Sequence, residues 1–101
     1  MIGELTSADF APHLHEIFRI DLGSNLIIDL ELTVVTDLNP ATAAKPDGRR
    51  PFSIEFLGPI SPQYLPQHIY RLEHATFGPL EIFLVPLGPI NERMRYEAIF
   101  T

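Results

Sequence analysis

The chain has no cysteine and no tryptophan, a single lysine (Lys45) and no long apolar run. Without cysteine there is no disulfide, thiolate nucleophile or thiolate metal site. That fits a reducing, cytoplasmic location. One lysine and six arginines stand against thirteen acids, for a net charge of −6. Binding to nucleic acid needs clustered cations that displace phosphate counterions, and here acids occupy every segment, so neither nucleic acid nor an anionic membrane surface is an expected partner. No stretch approaches the roughly 20 apolar residues of a membrane helix. Met1–Thr6 carries no basic region ahead of an apolar one, so a signal peptide is not expected.

What is present is a globular composition over 101 residues, 46% apolar and 20% charged, the size of one domain spanning 1–101. Ten prolines and six glycines fall between short apolar runs, as in a chain of many strands and turns. Thr6 and Asp9 have capping-box spacing, with Leu5 and Phe10 placed as a hydrophobic staple. Pro12 limits this helix to one or two turns ending near Leu14, a plug whose Leu5, Phe10 and Leu14 close one end of a sheet.

Alternation then marks six strands. Phe18, Ile20 and Leu22 share a face in Glu16–Leu22, and Leu26, Ile28, Leu30, Leu32 and Val34 share one in Leu26–Asp37. Gly23-Ser24-Asn25 turns between them. Asn39–Pro51 reads as an exposed loop carrying Lys45, Arg49 and Arg50, either a solubilising hinge or a binding arm. Phe52–Leu57 is a third strand, stopped by Gly58-Pro59, and Ile60–Gln67 an irregular connection. The last third is an antiparallel meander of Ile69–His74, Gly78–Pro86 and Met94–Phe100. Leu-Gly-Pro-Ile occurs at 57–60 and again at 87–90 and reads as repeated strand-exit chemistry. The expected fold is all-β and mainly antiparallel, about six strands curled into a small barrel or compact sandwich with one short N-terminal helix.

Catalytic signatures are few. Ser7, Ser24, Ser53 and Ser61 stand in no nucleophile elbow, and no phosphate loop or dinucleotide fingerprint occurs. His13-Leu14-His15 resembles the start of a cupin-type metal motif, but Arg19 stands where the carboxylate belongs. His68 and His74 share a face only on an unbroken strand and have no evident carboxylate partner, so no metal, no cofactor and no enzyme activity are expected. Asp29 and Glu31 lie on a polar strand face, where solvated charge is the ordinary role.

Two binding surfaces remain. On the outer face of the last meander, Ile69, Phe83, Val85 and Ile99 are apolar among Arg71 and Arg95, as cross-strand packing or as a protein-contact patch. On the inner face, Tyr70, His74, Met94 and Tyr96 offer a few polar groups in an apolar cup, the alternative small-molecule site, although six-stranded barrels are narrow and self-filled. A protein partner or self-association is the favoured reading.

Several blocks together resemble a known family. They are Leu-Thr-x-x-Asp-Phe-Ala-Pro (5–12), Pro-Phe-Ser-Ile-Glu-Phe-Leu-Gly-Pro (51–59), Tyr-Arg-Leu-Glu-His (70–74), Leu-Glu-Ile-Phe-Leu-Val-Pro-Leu-Gly-Pro (80–89) and Met-Arg-Tyr-Glu-Ala-Ile-Phe (94–100). In this order they are similar to a bacterial family of domains of unknown function, DUF6916. The resemblance implies an accessory of a phage-tail-like assembly and carries over no catalytic residue.

Overall fold

The computed structural model describes residues 5–23, 26–37, 51–61 and 63–100. Its strands are β1 (Ile17–Asp21), β2 (Ile27–Asp37), β3 (Phe52–Ile60), β4 (His68–His74), β5 (Gly78–Ile90) and β6 (Arg93–Phe100), preceded by helix α1 (Ser7–Phe10) and a 3-10 turn (Ala11–His13). They form a closed antiparallel barrel in the order β1-β2-β3-β6-β5-β4. The chain thus makes two three-stranded meanders, and the pairings β3–β6 and β1–β4 close them on each other. Of the expected Asn39–Pro51 loop only Pro51 lies within the described residues, and Ser24 and Asn25 of the first turn lie outside them.

Alternation supplies the core. Phe18, Ile20, Leu30, Leu32, Phe52, Ile54, Phe56, Leu72, Ile82 and Leu84 point inward and are buried, each large side chain contributing about 1.5–3 kcal/mol. The long middle strand of each meander changes neighbour along its length: β2 pairs with β1 up to Glu31 and with β3 from there on, and β5 passes from β4 to β6 between Leu84 and Val85.

One expected face changes sides. Leu32 stands opposite Phe56 but Val34 opposite Glu55, so Thr33 is an extra residue in the ladder. This bulge turns Val34 outward, 38% exposed, and brings Val35 against the core. The Thr33 hydroxyl donates to the Glu55 carbonyl, 3.3 Å away. An inserted residue reverses the inward phase of a period-two strand, which is why Val34 fails the alternation.

The two Leu-Gly-Pro-Ile segments are not strand exits. Both continue their strands through a bulge, and their final residues, Ile60 and Ile90, flank Arg93 from either side. Each frees a glycine carbonyl that β6 then binds: Arg93 Nε donates to Gly58 at 2.7 Å and Arg95 Nε to Gly88 at 3.4 Å. The glycines serve different ends. Gly88 adopts φ +128, which L side chains rarely enter, whereas a Cβ on Gly58 would meet the Tyr96 ring at 3.2 Å. Proline is tolerated because bulges interrupt the ladder.

The N-terminal plug forms as the capping pattern predicts. The Asp9 carboxylate accepts from the Thr6 N–H at 2.7 Å and from its hydroxyl at 3.1 Å. Phe10 is 0% exposed. Its ring lies 4.9 Å from that of Phe77, 5.6 Å from Phe100 and 5.9 Å from Phe52. Leu5 packs against this core, but Leu14 stands exposed and is no part of the plug, because the 3-10 turn ends at His13 and carries it outward.

Candidate functional site

The two ends of the barrel differ in chemistry. At the plugged end His13, Glu16 and His74 converge. His13 Nδ1 lies 2.8 Å and His74 Nε2 2.7 Å from the same Glu16 oxygen, Oε1. Glu16 precedes β1, His74 ends β4, and His13 closes the 3-10 turn, so the knot ties plug, first strand and fourth strand together. Hydrogen bonds from His13 and then His74 hold the Glu16 carboxyl below its ordinary value. A carboxylate therefore does stand between two histidines, contrary to the spacing argument, and it comes from the residue next to the His13-Leu14-His15 motif. His15 and His68 stay apart from the knot: His15 pairs with Glu31 at 3.0 Å, and His68 lies edge-on to Tyr70.

Three donor atoms within 4.8 Å of one another raise the question of a metal ion. The protonation of His74 answers it. Its Nδ1 accepts from the backbone N–H groups of Thr76 at 3.0 Å and Phe77 at 3.4 Å. The neutral ring must then carry its proton on Nε2, the nitrogen that faces Glu16. A metal-bound histidine needs the opposite arrangement, with the distal nitrogen donating to a carbonyl or carboxylate. The cluster fits a hydrogen-bonded clasp better than a metal centre.

At the opposite end the β1–β2 and β5–β6 hairpins and the β3–β4 connection meet. A cavity of about 390 Å³ opens between Leu22, Leu26 and Ile28 on one side and Leu65, Met94 and Tyr96 on the other. It adjoins a groove of about 490 Å³ lined by Ile60, Ser61, Tyr64, Pro89, Glu92 and Met94. The walls are apolar and open to solvent, with Ile60 70% and Tyr64 59% exposed. Leu65 reaches inward over the barrel, held by its N–H to the Tyr96 hydroxyl at 2.8 Å, while the Tyr70 hydroxyl donates to the Pro66 carbonyl at 2.6 Å. Burial raises the phenol pKa of both tyrosines, so they remain neutral tethers.

The expected site residues therefore divide. Met94 and Tyr96 line the open mouth, Tyr70 holds its lid, and His74 belongs to the other end. On the outer wall Ile69 stands directly opposite Phe83, 56% and 47% exposed, with Arg71 opposite Glu81 beside them. Val85 faces Glu97, half-buried, while Arg95 and Ile99 lie across from Leu57 and Ser53 on β3. The outer candidates thus fall on three different strand pairs. Leu22, Leu26, Ile60 and Tyr64, which line the mouth, were not among the expected site residues. The available signal was the duplicated Leu-Gly-Pro-Ile, whose two isoleucines the fold sets on either side of Arg93.

The model of the domain of unknown function DUF6916 matches residues 5–100. The chain belongs to that family. The match runs from the staple residue Leu5 to Phe100 and so includes both ends of the barrel. No curated protein and no solved structure matches. Among the described residues no helix is long and apolar enough to cross a membrane.

Proposed function

We propose that this DUF6916 domain is a non-enzymatic interaction module, an accessory of a multiprotein assembly that docks a protein partner through the open end of its barrel. One observation carries this reading: the large exposed apolar side chains Leu22, Leu26, Ile27, Ile60, Tyr64 and Ile90 gather at the end where the barrel is not plugged. An apolar surface of this kind on a small acidic domain is the usual mark of a contact site. Its centre, Tyr64 over Met94, has the aromatic and thioether character enriched in interface cores. The Ile69–Phe83 pair extends the surface along the wall, because β4 begins at this same end. A phage-tail-like particle, implied by the family resemblance, is one setting for such an accessory.

The test is capture of a partner from the native cell lysate by the tagged protein, repeated with Ile60→Asp and Tyr64→Asp. A stoichiometric partner that both substitutions release, while the barrel keeps its circular dichroism, supports the module. A partner retained by both variants removes the open end from the account.

A small molecule held in the mouth is the second reading. The cavity of about 390 Å³ favours it, since ligand sites begin near 300 Å³. A metabolite screen by thermal shift separates the two, because a ligand in the mouth raises the melting temperature without a partner present.

A further inference from the structure

The barrel closes unevenly. β4 pairs with β5 along its whole length, His68 to His74, but with β1 only at Leu72 and Glu73. Beyond that point β1 ends at Asp21 and the chain enters its hairpin with β2. Among the described residues no strand pairs with His68–Arg71 on their β1 side. Such an edge presents a row of unmatched N–H and C=O groups, and natural sheets usually blunt it with proline, lysine or a bulge. Residues 68–71 contain neither proline nor lysine, and the β4–β5 ladder runs through them without a register shift.

From this edge we infer that the protein accepts an extended segment of a partner protein as an added strand on β4, in the gap left by β1. The inference rests on the interaction reading above and names the form in which the partner binds. The backbone edge dictates an extended occupant, since only a strand matches its alternating donors and acceptors. Side chains on the two faces of that strand then meet different surroundings. Those pointing inward reach toward the mouth beside Leu22 and Leu26, and those pointing outward lie beside the exposed Ile69–Phe83 pair. The segment is therefore apolar on both faces along its middle. Its ends are basic, because Asp21 closes the β1 side of the gap on a chain of net charge −6.

The experiment uses the full-length, nitrogen-15-labelled protein and the peptide Lys-Val-Ile-Val-Ile-Lys, alongside the same peptide N-methylated at alternate residues. N-methylation removes strand hydrogen bonds and leaves the side chains unchanged. The expected result is slower exchange of amides within His68–Arg71 on adding the first peptide, and affinity weaker by roughly tenfold or more for the second, as loss of several backbone bonds requires. Equal binding of both peptides, with shifts confined to Leu22, Tyr64 and Met94, would overturn strand addition and leave the apolar docking surface standing. No binding of either peptide at millimolar concentration would also overturn it, and the open-end reading would then be decided by the release of the captured partner from the Tyr64→Asp variant. Protection of His68–Arg71 that grows with the concentration of the protein alone would assign the edge to a second copy and overturn the proposal.

Discussion

The two ends of this barrel are made from similar residues put to opposite use. At one, Phe10, Phe18, Phe52, Phe77 and Phe100 pack on one another, and the His13–Glu16–His74 clasp holds the plug over them. At the other, Leu22, Leu26, Ile60, Tyr64 and Met94 surround an open cavity, and the covering connection is tied down through two tyrosine hydroxyls. Apolar surface buried against itself stabilises the fold, and apolar surface left open is a place for something else. Composition alone does not separate these cases. What separates them is the cover the chain supplies, and among the described residues a helix of four residues plugs one end.

Substitutions that remove stability at one end and binding at the other sharpen this contrast. The largest effect belongs to the plug. Phe10→Ala should destabilise by about 3–5 kcal/mol in a urea titration, the usual result of emptying a fully buried aromatic site, whereas Tyr64→Ala should stay within about 0.5 kcal/mol of the parent. Equal costs at the two positions would erase the distinction. His74→Ala comes next, at about 1–3 kcal/mol, because it empties a buried site and leaves the N–H groups of Thr76 and Phe77 without their acceptor.

Acid should loosen the plugged end first. The Glu16 carboxyl lies below its ordinary value of 4.5 when folded. Its stabilising contribution is therefore complete above that value and disappears as the pH falls through the lower, folded one. Denaturation curves of the parent and Glu16→Gln should differ at pH 6 and converge below pH 4.5. A gap that does not shrink at all as the pH falls below 4.5 would mean that the clasp does not depend on the carboxylate charge.

The smallest effect concerns the turn at the open end. Asn91 and Glu92 take φ +51 and +70, the pair of left-handed residues in a two-residue hairpin. Glycine suits the second position better, so Glu92→Gly should stabilise by about 0.5–1 kcal/mol in thermal denaturation. Glu92 also lines the groove. If the variant gains stability and loses partner affinity, the strain is kept for binding.

Most strands were legible in the sequence because period-two alternation survives wherever one face is buried. It failed at Thr33, where a single inserted residue exchanges the roles of Val34 and Val35, a change no local pattern announces. Val35→Thr should accordingly cost more than Val34→Thr. Gly58-Pro59 and Gly88-Pro89 read as stops because glycine and proline interrupt a regular ladder, but at a bulge the interruption is already present and the strand continues. The clasp escaped for a different reason: Glu16 and His74 are 58 positions apart, and only the β1–β4 pairing brings them together. Of the mouth, the inward-facing Met94 and Tyr96 were visible from their strand, but Ile60 and Tyr64 sit at a strand end and in an irregular connection, where no period exists to mark a surface.

In the function proposed above, the open end, and not the plugged one, meets a partner. Chemical-shift mapping of the labelled protein on titration with its captured partner tests this most directly. Shifts centred on Leu22, Leu26, Ile60, Tyr64 and Met94 are expected, with His13, Glu16 and Phe77 unmoved. Shifts centred on His13, Glu16 and His74 instead would contradict it and make the clasp the contact site.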